Sequence, residues 1–172
     1  MLRSSEHRRM LAFYAAFCFF LSTIEFAIPK PLPFMRIGLA NLPILLALRL
    51  YRPRFVLALV GLKILGQGLV NGTFFSYIFL FSAAGSFSSG LVMLLLHMLA
   101  GERMSLIGLG VSGALASNIV QILLARWFLL GEGAWLIGPP FLVIGAVTGV
   151  LLGAFAQKMW EASGWLKKAG GS

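Results

Sequence analysis

The chain has 172 residues, 59% of them hydrophobic and 11% charged, with a formal net charge of +9. That balance lies far outside a soluble domain's, and no polar stretch is long enough to build a second domain, so one integral membrane domain over residues 1–172 is expected. The basic residues cluster at the ends of apolar runs, as topology signals do, which argues against a nucleic-acid partner.

In chain order the apolar runs predict six membrane spans, at about 10–28, 37–50, 55–70, 74–99, 105–130 and 136–157, an all-α polytopic bundle of six transmembrane helices. The first run follows Arg3, Arg8 and Arg9. Signal-peptide cleavage needs small residues near the exit, yet Glu25 stands there and the run continues to Ile28, so the span is read as retained. It carries Cys18, with no intrachain disulfide partner, and the pair Ala12 and Ala16 near its cytoplasmic end.

Pro29, Pro31 and Pro33 then exclude regular helix. The run over 37–50 gives about 21 Å of helix against a hydrocarbon core of about 30 Å. It enters beside Arg36 and carries Asn41 and Pro43. A short, interrupted span of this kind is the best sequence pointer to a transporter's binding site.

The third span holds Lys63 with Gln67 one turn later, and only Asn71-Gly72-Thr73 separates it from the fourth. The small-residue run over 82–90 in the fourth span predicts tight packing or local unwinding. The fifth span carries the small pairs Gly110–Ala114 and Gly113–Ser117, then Asn118 and Gln121 on one face, with Arg126 a turn further out. In the sixth, Gly145, Gly149 and Gly153 recur every fourth residue, a flat face for close backbone approach. The tail over 158–172, with Trp160 and Trp165, reads as a short interfacial helix.

With an inward N-terminus the inner side holds Arg3, Arg8, Arg9, Arg49, Arg52, Arg54, Arg103, Lys158, Lys167 and Lys168, against Lys30, Arg36 and Arg126 outside. The positive-inside rule therefore places both termini in the cytoplasm of a cell whose plasma (inner) membrane holds the chain.

Ionisable groups within a membrane need a partner or a purpose. Asn41, Lys63, Gln67, Asn118 and Gln121 could line an outward-facing polar cavity for a small molecule, with Glu25 and Arg36 at its outer end and apolar walls around it. Lys63 would anchor an anionic group and the amides would orient it. The alternative for Lys63 is an ion pair with Glu25 holding two helices together, and for the amides it is plain interhelical hydrogen bonding.

Absences narrow the chemistry. The chain has no aspartate, and its glutamates, Glu6, Glu25, Glu102, Glu132 and Glu161, are scattered. Clustered carboxylates of the kind that hold Mg²⁺ cannot form within one span. No phosphate-binding Gly-rich loop, Ser/His/Asp set or Cys/His set is present. His97 reads as interfacial and His7 as part of the basic tail, so no metal site, cofactor or enzymatic activity is expected.

The stretch Arg36-Ile37-Gly38-Leu39-Ala40-Asn41 behind its prolines, Leu62-Lys63-Ile64-Leu65-Gly66, and Ser117-Asn118-Ile119-Val120-Gln121 resemble the Gx transporter family, also labelled heptaprenyl diphosphate synthase component I. The likeness runs from about 31 to 157, with Gly38-Leu39-Ala40-Asn41 its most specific piece. Two positions depart from the family pattern. Lys63 replaces an arginine, keeping the charge without the bidentate fork, and Ser117 replaces a histidine.

The family is similar in size to the substrate-capturing S-components of energy-coupling factor (ECF) transporters. That resemblance implies docking of Ala12 and Ala16 on a membrane scaffold, two partner ATPase subunits, and an isoprenoid, quinone or flavin-type precursor as ligand. Two other readings stand beside it: a non-transporting subunit of a heptaprenyl diphosphate synthase or membrane redox complex, and an autonomous small exporter.

Overall fold

The computed structural model describes residues 2–29 and 37–162, without the side chains of residues 2–7 and 102. All regular structure among these residues is helical. Helix α1 (Leu2–Ala27) takes in the basic N-terminal residues as well as the apolar run and stops just before Pro29. Arg36 and the prolines at 31 and 33 lie outside the described residues.

The chain re-emerges at Gly38, whose φ of +88° is the left-handed turn that glycine adopts without penalty. A 3₁₀ turn over Leu39–Asn41 leads into α2 (Leu42–Leu50). Pro43 sits in the first turn of α2, where no backbone donor is needed. Nine residues give only about 14 Å of helix, and Leu42 through Leu48 are all buried. This short helix is a plug inside the bundle. Its side chains meet Leu59, Met93 and Leu109 from the surrounding helices in the main apolar core.

Tyr51 and Arg52 are extended, and Pro53 starts α3 (Pro53–Val70). Helix α4 (Tyr77–Ala100) begins where the Ser76 hydroxyl accepts from the Phe79 amide. It runs unbroken through its serines and glycines, so the unwinding considered for 82–90 does not occur. The helix starts at Tyr77 rather than near 74 because Phe74 to Ser76 form the capped turn.

Helix α5 (Leu106–Ala125), capped by Ser105, passes through a π turn (Arg126–Leu130) and a 3₁₀ turn into α6 (Ala134–Ala162). Helix α6 contains Pro139 and Pro140 and spans 29 residues. It continues to Ala162, so 158–162 belong to it and form no separate interfacial helix. Residues 163–172 lie outside the described part.

Against the six spans expected, four stretches among the described residues are long and apolar enough to cross a membrane: Arg8–Ala27, Pro53–Val70, Tyr77–Ala100 and Leu106–Ala162. The last is folded back on itself as the α5–α6 hairpin. The apolar helix over Leu39–Leu50 is too short to count. Large apolar side chains such as Phe13, Phe20, Leu136 and Leu151 face outward on these stretches, the surface a bilayer takes.

Glycine decides the hairpin. A Cβ on Gly149 would lie 2.7 Å from the Val111 Cα, one on Gly153 2.5 Å from the Ile107 Cα, and one on Gly110 2.7 Å from the Gly149 carbonyl. Backbone therefore touches backbone, which is the close approach that the four-residue glycine spacing predicts.

Candidate functional site

Three elements bring polar groups to one place. Near the end of α1, the buried Glu25 carboxylate accepts hydrogen bonds at Oε1 from the backbone amides of Ile37 (2.8 Å) and Gly38 (3.0 Å). Lys63, 2% exposed at the middle of α3, donates from Nζ to Asn41 Oδ1. Asn41 in turn donates from Nδ2 to Ser89 Oγ on α4 (3.3 Å). The turn ahead of α2 is thus tied to α1 by a carboxylate, to α3 by an ammonium group and to α4 by a hydroxyl.

Of these groups, the Glu25, Asn41 and Lys63 side chains line one cavity, whose empty space is about 500 Å³ when the open surroundings at its mouth are counted in. Glu25, Asn41 and Lys63 form its polar side with Ser86, Ser117 and Asn118, and Leu45, Met93 and Leu152 supply apolar wall. Side chains crowd the space so closely that only water-sized guests fit as it stands. Burying one charge in an apolar bundle is costly, and an opposite charge on the same polar cavity offsets part of that cost. Glu25 and Lys63 share this one.

Of the residues singled out from sequence, Glu25, Asn41, Lys63 and Asn118 meet at the cavity. Asn118 also donates from Nδ2 to the Phe141 carbonyl (2.7 Å), just past the two prolines of α6, and its amide occupies the space left by the missing side chain of Gly145.

Gln67 and Gln121 do not line the cavity, contrary to expectation. Each sits about one helical turn beyond its cavity neighbour and meets α4 instead. Gln67 donates to Ser82 Oγ and accepts from Ser22 Oγ (3.4 Å). Gln121 donates to Ser117 Oγ (3.3 Å) and packs on Gly85, where an added Cβ would come within 2.5 Å of its amide nitrogen. Its Oε1 is buried without a partner.

Arg126 belongs to the surface. It pairs with Glu132 at 2.6 Å and lies 5.3 Å from the Trp135 ring centre. Ala12 and Ala16 are exposed on the outer face of α1 beside Phe13 and Phe20.

The sequence reading missed Ser86, Ser89 and Ser117. A signal existed: Ser82, Ser86 and Ser89 recur at steps of four and three, one stripe of a helix facing inward. It also missed the Glu25 contacts, because backbone amides leave no trace in residue type. Among the described residues the cavity holds amides, hydroxyls and one charge of each sign, with no histidine or cysteine on its wall. Such a set is chemically suited to hold and orient a polar or charged group.

A family model described as heptaprenyl diphosphate synthase component I matches residues 14–159. Comparison with curated proteins and with solved structures found no match.

Proposed function

Since the chain belongs to the heptaprenyl diphosphate synthase component I family, a family of membrane proteins, we propose that it is a substrate-binding membrane subunit that captures a small anionic or amphipathic metabolite. In this reading the chain crosses the plasma membrane six times with both termini in the cytoplasm, and α2, too short to span the bilayer by itself, forms only part of the second crossing. It catalyses no reaction itself. The observation that carries the reading is the joint burial of Lys63 and Glu25 on one polar cavity within a largely apolar bundle.

The cavity is closed to anything larger than water, so loading requires the turn at 37–41 to move. Its ties are the groups a ligand would engage. An anionic ligand group takes the Lys63 ammonium from Asn41 and frees the Asn41 amide for a second hydrogen bond. Asn118 and the Ser86 and Ser117 hydroxyls complete the contacts. The exposed Ala12–Ala16 face of α1 docks on a membrane scaffold, and partner ATPase subunits drive release, as in ECF transporters.

Mass spectrometry of the gently purified protein tests this. The wild-type chain should carry a small molecule that both Lys63→Met and Met93→Trp lose, the latter by filling the cavity from its apolar side. Retention of the same molecule by both variants would overturn the reading.

The family's description supports a second one, a non-catalytic subunit of a heptaprenyl diphosphate synthase. Co-purification from native membranes separates the two. ATPase and scaffold partners favour transport, and a soluble prenyl-diphosphate synthase favours the accessory role.

A further inference from the structure

The opposite end of the bundle carries a second hollow. Arg8 and Leu11, one turn apart on α1, face Arg52, Arg54 and Phe55 at the start of α3, and the five border a shallow groove that is open to the surroundings and apolar-walled, the arginines lining it with their aliphatic stems. We propose that this groove binds an anionic lipid, with an acyl chain along the apolar wall at Leu11 and Phe55 and the phosphate at the rim, within reach of the exposed Arg8, Arg52 and Arg54.

Three observations support the assignment. The first is the combination of charge and floor. Arg8, Arg52 and Arg54 are exposed, and no described carboxylate lines the hollow. Glu25 lies in the other cavity, Glu132 pairs with Arg126, and Glu161 accepts from Gln157 (3.0 Å). Guanidinium forks match phosphate oxygens in shape and charge, and the positive end of the α3 dipole adds to the field.

The second is rigidity. Phe55 stacks on Tyr51 with ring centres 4.0 Å apart, and Tyr14 stands edge-on to both, at 5.6 Å from Tyr51 and 6.3 Å from Phe55. Tyr14 and Phe55 are nearly fully buried. The floor is therefore fixed by its own aromatic packing and does not collapse into the hollow.

The third is depth. The apolar crossing of α1 begins at Arg8 and that of α3 at Pro53. With those crossings in a bilayer, the hollow falls where hydrocarbon gives way to headgroups, a placement that rests on the membrane reading proposed above. A soluble phosphate ester could use the arginines but not the apolar floor, whereas a lipid uses both.

The experiment uses the full chain in mixed micelles containing phosphatidylglycerol and phosphatidylcholine, with retained lipid read by native mass spectrometry. Wild type should retain phosphatidylglycerol preferentially. Arg8→Gln/Arg52→Gln/Arg54→Gln should lower that retention about tenfold, as expected for losing charge-assisted phosphate contacts. The control Arg9→Gln/Arg103→Gln/Lys158→Gln removes the same charge from exposed positions outside the hollow and should change retention about twofold or less.

Leu11→Trp, which fills the hollow at constant charge, should match the first triple variant. It decides the matter should that variant fail to fold. Equal losses in both triple variants would mean diffuse surface attraction and overturn the site. Displacement by inorganic phosphate at equal concentration would overturn the lipid assignment.

Discussion

Where α5 meets α6, backbone lies on backbone at Gly110, Gly149 and Gly153. Where α1 and α3 meet the turn before α2, the ties are polar side chains, Glu25 to two amides and Lys63 to Asn41. Both interfaces bring helices together inside lipid, where apolar burial gives little net drive between helices. The first does so by dispersion between surfaces with nothing projecting between them, so it has one arrangement. The second does so by hydrogen bonds, which in the proposed reading a ligand replaces one for one, giving a second arrangement. The proposed substrate capture needs one of each, a frame that holds and a face that yields.

The largest effect should come from breaking the frame. Gly149→Leu places a side chain against the Val111 backbone, which cannot rotate aside. The expected cost exceeds the ~1–3 kcal/mol typical of overpacking between side chains. The variant should lose its monodisperse, cooperatively melting form in detergent. A Gly149→Leu protein melting within a few degrees of wild type would show that the hairpin is not the rigid half.

The polar side should respond differently. Removing one of two opposite charges buried on the same cavity leaves the other less compensated, at a cost of up to about 3–5 kcal/mol, that of breaking a buried pair. Lys63→Met and Glu25→Gln should each destabilise the chain by roughly this order, and the double variant by clearly less than their sum, with a coupling of about 1–3 kcal/mol. The Glu25→Gln side chain can still accept from Ile37 and Gly38, which isolates the charge from the tie. Strict additivity of the two unfolding free energies would mean that the residues do not share an environment, and the contrast between the interfaces would lose its basis.

The frame was legible in the sequence because its cause is local: glycines at a four-residue step mark one helical face whatever they pack against. The burial of Glu25 and Lys63 was legible as well, since an ionisable group within an apolar run has nowhere else to go. The rotation of α3 and α5 against α4 was not. Gln67 follows Lys63, and Gln121 follows Asn118, on the same face of each helix, yet the cavity ends between them. Ser82 and Gly85 of α4 fill the next turn outward. That boundary depends on which α4 residues are small at one depth, a property of three helices together. The joint between α5 and α6 was hidden for a similar reason. A π turn, a 3₁₀ turn and two prolines early in α6 leave the path helical where composition reads simply as two spans with a gap.

The smallest expected change in stability falls on the outer surface of the yielding side. Ala16 is exposed on α1, next to Phe13 at 64% and Phe20 at 61% exposure, and touches neither the cavity nor the core. Leucine is nearly as good a helix former as alanine, so Ala16→Leu should shift unfolding by less than about 0.5 kcal/mol. Two small residues one turn apart flanked by large aromatics nevertheless make a shallow slot, and a leucine there would block close approach by another helix. The variant should therefore melt like wild type and still hold its small molecule, while a membrane scaffold no longer co-purifies with it. Loss of partner with retention of ligand would assign the inner face of α1 to capture and its outer face to docking, on the half of the bundle built to move. Undiminished co-purification would make that surface ordinary lipid contact, and the yielding side would then communicate with its partner through some other face.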